Sequence, residues 1–204
     1  MVGWARRFRQ EERGISLVEG LIVFPLVLLA YATFVEFGFA LFQWNQTVKA
    51  MQLGARLAAV SDPLPTDMSA LTADYPSEQG GPTPVATQSV SCGAGSTACD
   101  AAKIDRLIFG DDGSCTPAAG SLLGMCDLHP QIGAENVLIT YHRSGLGYVG
   151  RPDGPVVTVT VEARNLTFNF FFLGALLGLN SLAIPAHPVT ITGEDLSSCR
   201  DECP

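Results

Sequence analysis

The chain has 204 residues, of which 47% are hydrophobic and 16% are charged, and its formal net charge is −8 at pH 7. This length allows one domain of ordinary size with an appendage and excludes two large hydrophobic cores. The acidic balance argues against nucleic acid as a partner, because phosphate binding requires clustered Lys and Arg.

A short basic segment and a long apolar segment open the chain. Four arginines lie within residues 6–13, no charge occurs over residues 20–35, and the apolar character continues past Glu36 to Phe42. About 20 such residues suffice for a transmembrane helix, and the positive-inside rule places residues 1–14 in the cytoplasm. Because the segment exceeds the h-region of a secretory signal and no small-residue site directly follows it, we predict an uncleaved single-pass anchor or one cut on the cytoplasmic side.

The helical pattern continues beyond the predicted membrane segment, residues 15–42. Over residues 43–60, apolar side chains recur every three or four positions, as on one face of a helix. They are Trp44, Val48, Met51, Ala55 and Ala58. We predict one helix over residues 16–60, which ends at Ser61-Asp62-Pro63 because Pro cannot continue a helix. Since this helix is about twice as long as the hydrocarbon core is thick, its outer part must pack on something outside the membrane.

Residues 61–135 are expected to form loops and short elements. The Pro, Gly, Ser and Thr content up to residue 97 is typical of irregular surface structure, with a short strand at residues 85–91. An amphipathic helix is predicted at residues 98–109, closed by the turn Gly110-Asp111-Asp112-Gly113. A calcium loop would need the D-x-[DN]-x-[DN]-G register with a downstream Glu, which is missing, so we interpret the Asp pair as a solvated turn.

The strand signal is strongest in the C-terminal part of the chain. Residues 136–142 and 156–163 are rich in Val, Ile, Thr and Tyr, which predicts a hairpin or meander, and a last strand is predicted at residues 186–192. His142 and Arg143 are expected to be half-exposed at a strand end. Neither is expected to be catalytic, since no nucleophile or paired base is close to them in the sequence.

An apolar block lies between these strands, at residues 168–179. Its uninterrupted part is too short to span a membrane, so we predict a core helix, or an interfacial helix that contacts the bilayer or a partner subunit. Together the elements predict an α+β fold. A long N-terminal transmembrane and periplasmic helix packs on a small antiparallel sheet, within an extracytoplasmic domain at residues 61–204.

All six cysteines follow the apolar segment, which predicts disulfides in an oxidising compartment. Zinc is the alternative, but no C-x-x-C pair is present and only three histidines could add ligands. We therefore expect neither a metal nor a cofactor. Many connectivities are open to six cysteines, and proximity alone favours the pairs Cys92–Cys99, Cys115–Cys126 and Cys199–Cys203.

A family resemblance begins at the end of the basic segment. A leader that ends in Gly14, an apolar segment that starts at Ile15 and a Glu at position 19 resemble the processing site of type IV prepilins. The wider stretch at residues 13–60, which includes Glu36, is similar to the TadE-like pseudopilins of bacterial Tad (Flp) pilus systems. The later strands and the apolar block fit that family less specifically, and residues 61–135 depart from it as a cysteine-containing insertion.

The resemblance implies that a membrane-embedded prepilin peptidase cuts after Gly14 and frees the α-amino group of Ile15. It also implies that Glu19 matters for processing, for assembly or for both. In a row of staggered parallel helices, the Glu19 carboxylate could meet the new ammonium of a neighbouring subunit, which pairs two charges that are each costly alone in hydrocarbon. Glu36, a second candidate for assembly contacts, lies about 25 Å further along the helix. For both carboxylates the alternative is that they snorkel to the membrane interfaces.

We therefore expect a minor pilin-like subunit of the bacterial inner membrane, with a cytoplasmic N-terminus and a periplasmic or extracellular C-terminal domain. The expected partners are the prepilin peptidase, other pilin and pseudopilin subunits, and the pilus assembly machinery. The alternative is a single-pass anchored module whose outer domain binds or senses a ligand. No Ser/His/Asp set, metal motif or phosphate loop is present in the sequence, so we do not expect an enzyme.

Overall fold

A computed structural model describes residues 12–152, 154–178, 182–184 and 188–193. The fold is α+β, as predicted, with one long helix, several short ones and an antiparallel sheet. The helices are α1 (Glu12–Ala59), α2 (Ala101–Phe109), α3 (Met125–Leu128) and α4 (Phe172–Leu177), with 3₁₀ turns at Ser69–Thr72 and Ala134–Asn136. The strands are β1 (Ser89–Gly93), β2 (Val137–Arg143), β3 (Val157–Ala163), β4 (Thr167–Phe168), β5 (Leu182–Ala183) and β6 (Val189–Thr192).

The helix α1 has 48 residues and is about 70 Å long. It ends at Ala59, shortly before Pro63, so the predicted helix and its stop signal are confirmed. Pro25 lies inside it without ending it. The chain divides into two compact units, one comprising Met1–Leu41 with Asn169–Leu182 and the other comprising Phe42–Phe168 with Ala183–Pro204. The inner and outer parts of α1 therefore belong to different units.

The main sheet lies in the second unit. Its strands follow the order β1-β2-β3-β6, and each neighbouring pair is antiparallel. β2 and β3 pair along their whole length, from Val137 opposite Ala163 to Arg143 opposite Val157, which confirms the predicted hairpin. Both strands alternate buried and half-buried residues, as expected for a sheet with one face against a core. β4 and β5 form a separate two-stranded ladder that the sequence pattern did not predict.

The outer part of α1 contributes to the core of the second unit. Met51, Ala55 and Ala58 are buried, whereas Trp44 and Val48 are half-buried, so the predicted stripe is confirmed at its C-terminal end and partly at its start. The small residues along this face allow other elements to approach α1 closely.

Residues 61–135 belong to the same core and do not form a separate loop. β1 from this region pairs with β2, and α2 buries Ile104, Leu107 and Ile108. A Cβ added at Gly54 of α1 would come 2.5 Å from the sulfur of Met125, so α1 and α3 are in close contact. The region that departs from the family resemblance is therefore an integral part of the fold.

Two elements of this region begin later than predicted. The strand predicted at residues 85–91 is wrong at its start, because Val85 is 94% exposed and strand pairing begins at Ser89. The helix predicted from residue 98 begins at Ala101, because the Asp100 side chain accepts hydrogen bonds from the first free N–H groups of α2 and caps it.

Two of the predicted disulfides are present in the described part of the chain. Cys92 is bonded to Cys99 beside the edge strand β1, and Cys115 is bonded to Cys126 of α3. The third predicted pair, Cys199–Cys203, lies outside the described residues. Both observed bonds lie in residues 61–135, where they constrain a region with few regular elements.

Arg143 is buried at the end of β2, with 1% of its surface exposed, so the prediction of a half-exposed side chain is wrong. Its guanidinium donates to both carboxylate oxygens of Asp74, to the Leu71 carbonyl at 2.8 Å and to the Ala86 carbonyl. It also lies 5.4 Å from the centre of the Tyr75 ring. An unpaired buried guanidinium would be strongly destabilising, and these partners remove most of that cost. The pair fastens the loop before β1 to the sheet.

In the described part of the apolar block, residues 168–178, only α4 is helical, so this helix is shorter than predicted. Phe168 belongs to β4, and Gly178 ends α4 in the left-handed conformation, with φ at 70°. Phe171 and Phe172 are 85% and 58% exposed. These two side chains are not core residues, and they need an apolar environment outside the core.

The variant Asp74→Asn should unfold at a lower temperature at neutral pH, because it leaves the buried Arg143 without its counterion. The hydrogen bonds from Arg143 hold the pKa of the Asp74 carboxyl below its usual range. The stabilisation is therefore present above the unfolded pKa of about 4 and is lost as the pH falls through the lower folded value. Circular dichroism melts of the full chain in detergent, from neutral to acidic pH, should show a smaller acid-induced fall of the unfolding temperature in the variant than in the wild type.

The matched control is Asp105→Asn, which removes an exposed carboxylate from α2. It should melt like the wild type at every pH. Identical melting of Asp74→Asn and the wild type at neutral pH would contradict the proposed role of the buried pair.

The variant Tyr141→Phe should lower the free energy of unfolding by about 1–3 kcal/mol, because it leaves a buried N–H without an acceptor. The Tyr141 hydroxyl accepts a hydrogen bond from the Leu64 backbone N–H at 3.3 Å, and both residues are buried. Burial raises the pKa of Tyr141 to about 12, so the hydroxyl stays protonated at neutral pH. Chemical denaturation measures the loss, with Tyr148→Phe, at a 48% exposed position, as the control. Equal stabilities of the two variants would count against this hydrogen bond.

Candidate functional site in the membrane helix

The helix α1 is long and apolar enough to cross a membrane. Its qualifying range is Val18–Ala59, and its most apolar part, with a mean hydropathy of 2.1, is not buried. A continuous apolar surface of this kind is unfavourable in water and matches the hydrocarbon core of a bilayer. The exposed side chains that form it include Leu21, Phe24, Leu26, Val27, Leu28, Phe34, Val35 and Phe37. In the described part of the chain it is the one such helix, which indicates a single-pass membrane anchor.

Two carboxylates are the charged groups of the membrane segment. Over residues 15–48, Glu19 and Glu36 carry the formal charges. The Thr33 hydroxyl donates to the Leu29 carbonyl at 2.8 Å, so this polar group is satisfied within the helix itself. A carboxylate cannot be satisfied in that way, because the helix offers its side chains carbonyl acceptors and no free N–H donors. The two glutamates therefore need partners from elsewhere.

The structure places Gly14 and Ile15 inside α1, and Ile15 lies about one helical turn before Glu19. The side chain of Glu19 is exposed, and the residues that the structure describes provide its carboxylate with no hydrogen-bond or ion-pair partner. Glu36 lies about 25 Å further along the axis and roughly 100° around it. The two carboxylates therefore belong to separate sites and cannot share one ligand.

Glu36 is paired within the chain. Its carboxylate accepts a hydrogen bond from the backbone N–H of Phe172 through one oxygen and from that of Leu173, at 2.8 Å, through the other. These N–H groups belong to the first turn of α4, whose N-cap residue, Phe171, makes no side-chain capping bond. The first N–H groups of a helix have no partner inside it, and a negative charge near them is favourable. Glu36 thus caps α4 from another element of the same compact unit.

An apolar groove of about 260 Å³ lies beside this contact, within the first unit. One wall comes from α1 and the other from the start of α4. The lining residues are Leu28, Leu29, Ala32, Thr33, Phe172 and Leu173. The α1 residues of this wall precede Glu36, so α4 lies along α1 on the N-terminal side of the carboxylate.

The pairing of Glu36 could not be predicted from sequence periodicity, because its partners are backbone groups 136 and 137 residues away. One signal was available. The apolar block has Phe at the N-cap position, where Ser, Thr, Asp or Asn would normally satisfy the first N–H groups. A helix without its own cap requires an acceptor from elsewhere, and the long apolar segment of the chain holds two carboxylates, Glu19 and Glu36.

Other reactive groups do not assemble into a second site. Among the residues that the structure describes, no group of three or more His, Cys, Asp and Glu could hold a metal ion. His142 is half-buried on β2. His129 is buried, neither of its ring nitrogens has a hydrogen-bond partner within the described residues, and burial lowers the pKa of its imidazole. An isolated neutral histidine of this kind is a core residue.

The comparisons with known proteins agree with the N-terminal resemblance. A family model described as TadE-like protein matches residues 14–56, which confirms the predicted resemblance over that stretch. The match includes Gly14, Glu19 and Glu36 and ends just before the end of α1. It does not include the sheet, the disulfides or α4. No curated protein and no solved structure matches the chain.

The variant Glu36→Ala should expose the first N–H groups of α4 and speed their hydrogen exchange several-fold, because those donors lose their acceptor. Glu36→Gln should give an intermediate rate, since a neutral amide has one acceptor oxygen and accepts more weakly. Hydrogen-exchange mass spectrometry of the peptide that contains Phe172 and Leu173, in a lipid nanodisc, measures the effect.

Glu19→Ala is the control, because this carboxylate lies on the same helix, about 25 Å along the axis from Glu36. It should leave the exchange rates unchanged. Wild-type exchange in Glu36→Ala would show that the capping contact does not hold α4 in place.

Proposed function

We propose that this chain, TadE-like over residues 14–56, is a minor pilin-like subunit for Tad pilus assembly that acts through contacts with the membrane and with other subunits. The observation that carries the proposal is the family match over a helix that can cross a membrane and whose Glu19 carboxylate has no partner among the described residues. The match supports a pilus-associated protein, and this lack of a partner within the described part of the chain supports a contact of Glu19 with another subunit.

We further propose that a prepilin peptidase cuts between Gly14 and Ile15. Cleavage would remove the basic leader, residues 1–14, and create a new ammonium at residue 15. An ammonium and a carboxylate that are each isolated in hydrocarbon are both costly, and pairing them removes much of that cost. In an array of staggered parallel helices, the Glu19 carboxylate of one subunit would meet the ammonium of the next. Cleavage would then be the step that makes assembly favourable.

The proposed topology follows from the charges around α1. The arginines within residues 6–13 favour a cytoplasmic N-terminus, and the disulfides Cys92–Cys99 and Cys115–Cys126 favour an oxidising compartment for the second unit. Both arguments support the inner membrane with a periplasmic domain. In that orientation Glu19 lies near the cytoplasmic edge of the hydrocarbon core and Glu36 near the periplasmic edge.

The variant Gly14→Ala should remain uncut in cells with an active prepilin peptidase. Wild-type protein should lose residues 1–14, as shown by intact mass and N-terminal sequencing after extraction from membranes. Gly20→Ala is the matched control, because a Cβ at that position meets no atom within 4 Å, and it should be cut normally. Wild-type protein that begins at Met1 would contradict processing and favour an anchored binding or sensor module that functions alone.

The role of Glu19 in assembly can be separated from its role in processing by two variants and a co-purification measurement. Glu19→Ala should prevent co-purification with the other pilus subunits even when an already cut form is supplied, because the carboxylate partner is missing. Glu36→Ala should retain that co-purification, since its carboxylate is paired within the chain. Normal assembly of Glu19→Ala would contradict the proposed pairing.

A further inference from the structure

The apolar residues around α4 belong with the membrane helix. We refer to residues 169–178 as the Phe/Leu segment. This segment and the inner part of α1 form the first compact unit, whereas the main-sheet strands before and after it in the chain, β3 and β6, belong to the second unit. The chain thus returns to the anchor helix after it has left it, and residues 170–178 of the returning segment are apolar.

The exposed surface of the Phe/Leu segment suits an apolar environment. No Asp, Glu, Lys or Arg occurs between Arg164 and Glu194. Phe171 is 85% exposed and Phe172 is 58% exposed, values as high as those of the lipid-type surface of α1. Two adjacent exposed phenylalanine side chains are unfavourable in water, so a partner or a bilayer must cover them.

The depth of the segment follows from its contacts with α1. Phe172 and Leu173 share a groove with residues 28–33 of α1, which precede Glu36 by about 5–12 Å along the helix axis. If α1 spans a bilayer with its apolar stretch, those residues lie inside the hydrocarbon region. The start of α4 therefore lies at membrane depth as well.

Backbone groups at that depth need hydrogen-bond partners, because hydrocarbon offers none. The first N–H groups of α4 find one in Glu36, and the Glu36 carboxylate finds its donors in the same contact. The contact removes the free-energy cost that the carboxylate and the N–H groups would each have if they were unpaired in lipid. α4 has six residues and is about 9 Å long, so it is too short to cross and must enter and leave on the same side.

We propose that the Phe/Leu segment is a second membrane-inserting element of this chain, which places Phe171 and Phe172 in the acyl region of the bilayer and is held on α1 by the Glu36 carboxylate. Lipid is favoured over a protein partner because the segment continues the lipid-type surface of α1 and carries no polar side chain at its exposed aromatic residues. The inference requires the membrane anchor and is independent of cleavage after Gly14.

The test measures the lipid contact directly. Phe171→Trp is made in a chain whose two natural tryptophans are replaced, Trp4→Phe and Trp44→Phe, and the full uncut chain is placed in nanodiscs with one copy per disc. Lipids brominated in their acyl chains should quench the Phe171→Trp fluorescence several-fold more than that of a matched Tyr148→Trp chain, whose site lies in the second unit. Its emission should also be shifted to shorter wavelength.

Adding Glu36→Ala to the Phe171→Trp chain should abolish most of the quenching, because the carboxylate no longer holds the segment at that depth. Mass spectrometry without reductant verifies that both disulfides, Cys92–Cys99 and Cys115–Cys126, remain formed in every variant. Phe171→Trp fluorescence that brominated lipids do not quench would overturn the proposal. An emission shift to shorter wavelength that develops only after a second subunit joins the disc would also overturn the proposal and assign the surface to a protein partner. Either result would leave the processing experiment at Gly14 unaffected.

Discussion

The hydrogen bonds between the Glu36 carboxylate and the first N–H groups of α4 satisfy polar groups that hydrocarbon cannot solvate. They explain why an uncapped apolar segment lies against α1 and why a carboxylate is tolerated late in the membrane helix. Glu19 has no comparable contact in the described part of the chain. The two glutamates thus differ, because Glu36 is satisfied by its own chain, whereas for Glu19 we propose a partner on another subunit.

The second unit depends on a different set of non-local contacts. The buried Arg143 holds the loop before β1 through Asp74, two disulfides constrain the loops around β1 and α3, and Met125 packs against Gly54 of α1. These contacts make the region at residues 61–135 part of the core, although the family match ends at residue 56. The chain therefore combines a long apolar helix, most of which matches the family model, with a domain in which residues 61–135 supply an edge strand and both described disulfides.

Local signals predicted the elements that depend on local physics. The stop signal Ser61-Asp62-Pro63 just after α1, the strand pattern of β2 and β3, and the proximity of the cysteines each predicted what the described part of the structure contains. The errors concern residues whose environment is set from far away. The sequence predicts a half-exposed Arg143 at a strand end, because its partner Asp74 is distant in the chain. For Glu36 the sequence left snorkelling open as an alternative, because its N–H donors on α4 are also distant in the chain. The sequence identified both Glu19 and Glu36 as candidates, whereas only the geometry shows that Glu36 contacts α4.

The central claim is that Glu19 pairs with an ammonium at residue 15 of another subunit while Glu36 remains paired within its own chain. Solid-state NMR of assembled material tests it most directly, with carboxylate-¹³C glutamate in half of the subunits and ¹⁵N-isoleucine in the other half, so that couplings between labels arise between subunits. The account predicts a ¹³C–¹⁵N contact within about 4 Å, the range of an ion pair, that persists in Glu36→Gln subunits. The absence of that contact in assembled wild-type material, or its loss in Glu36→Gln alone, would contradict the account.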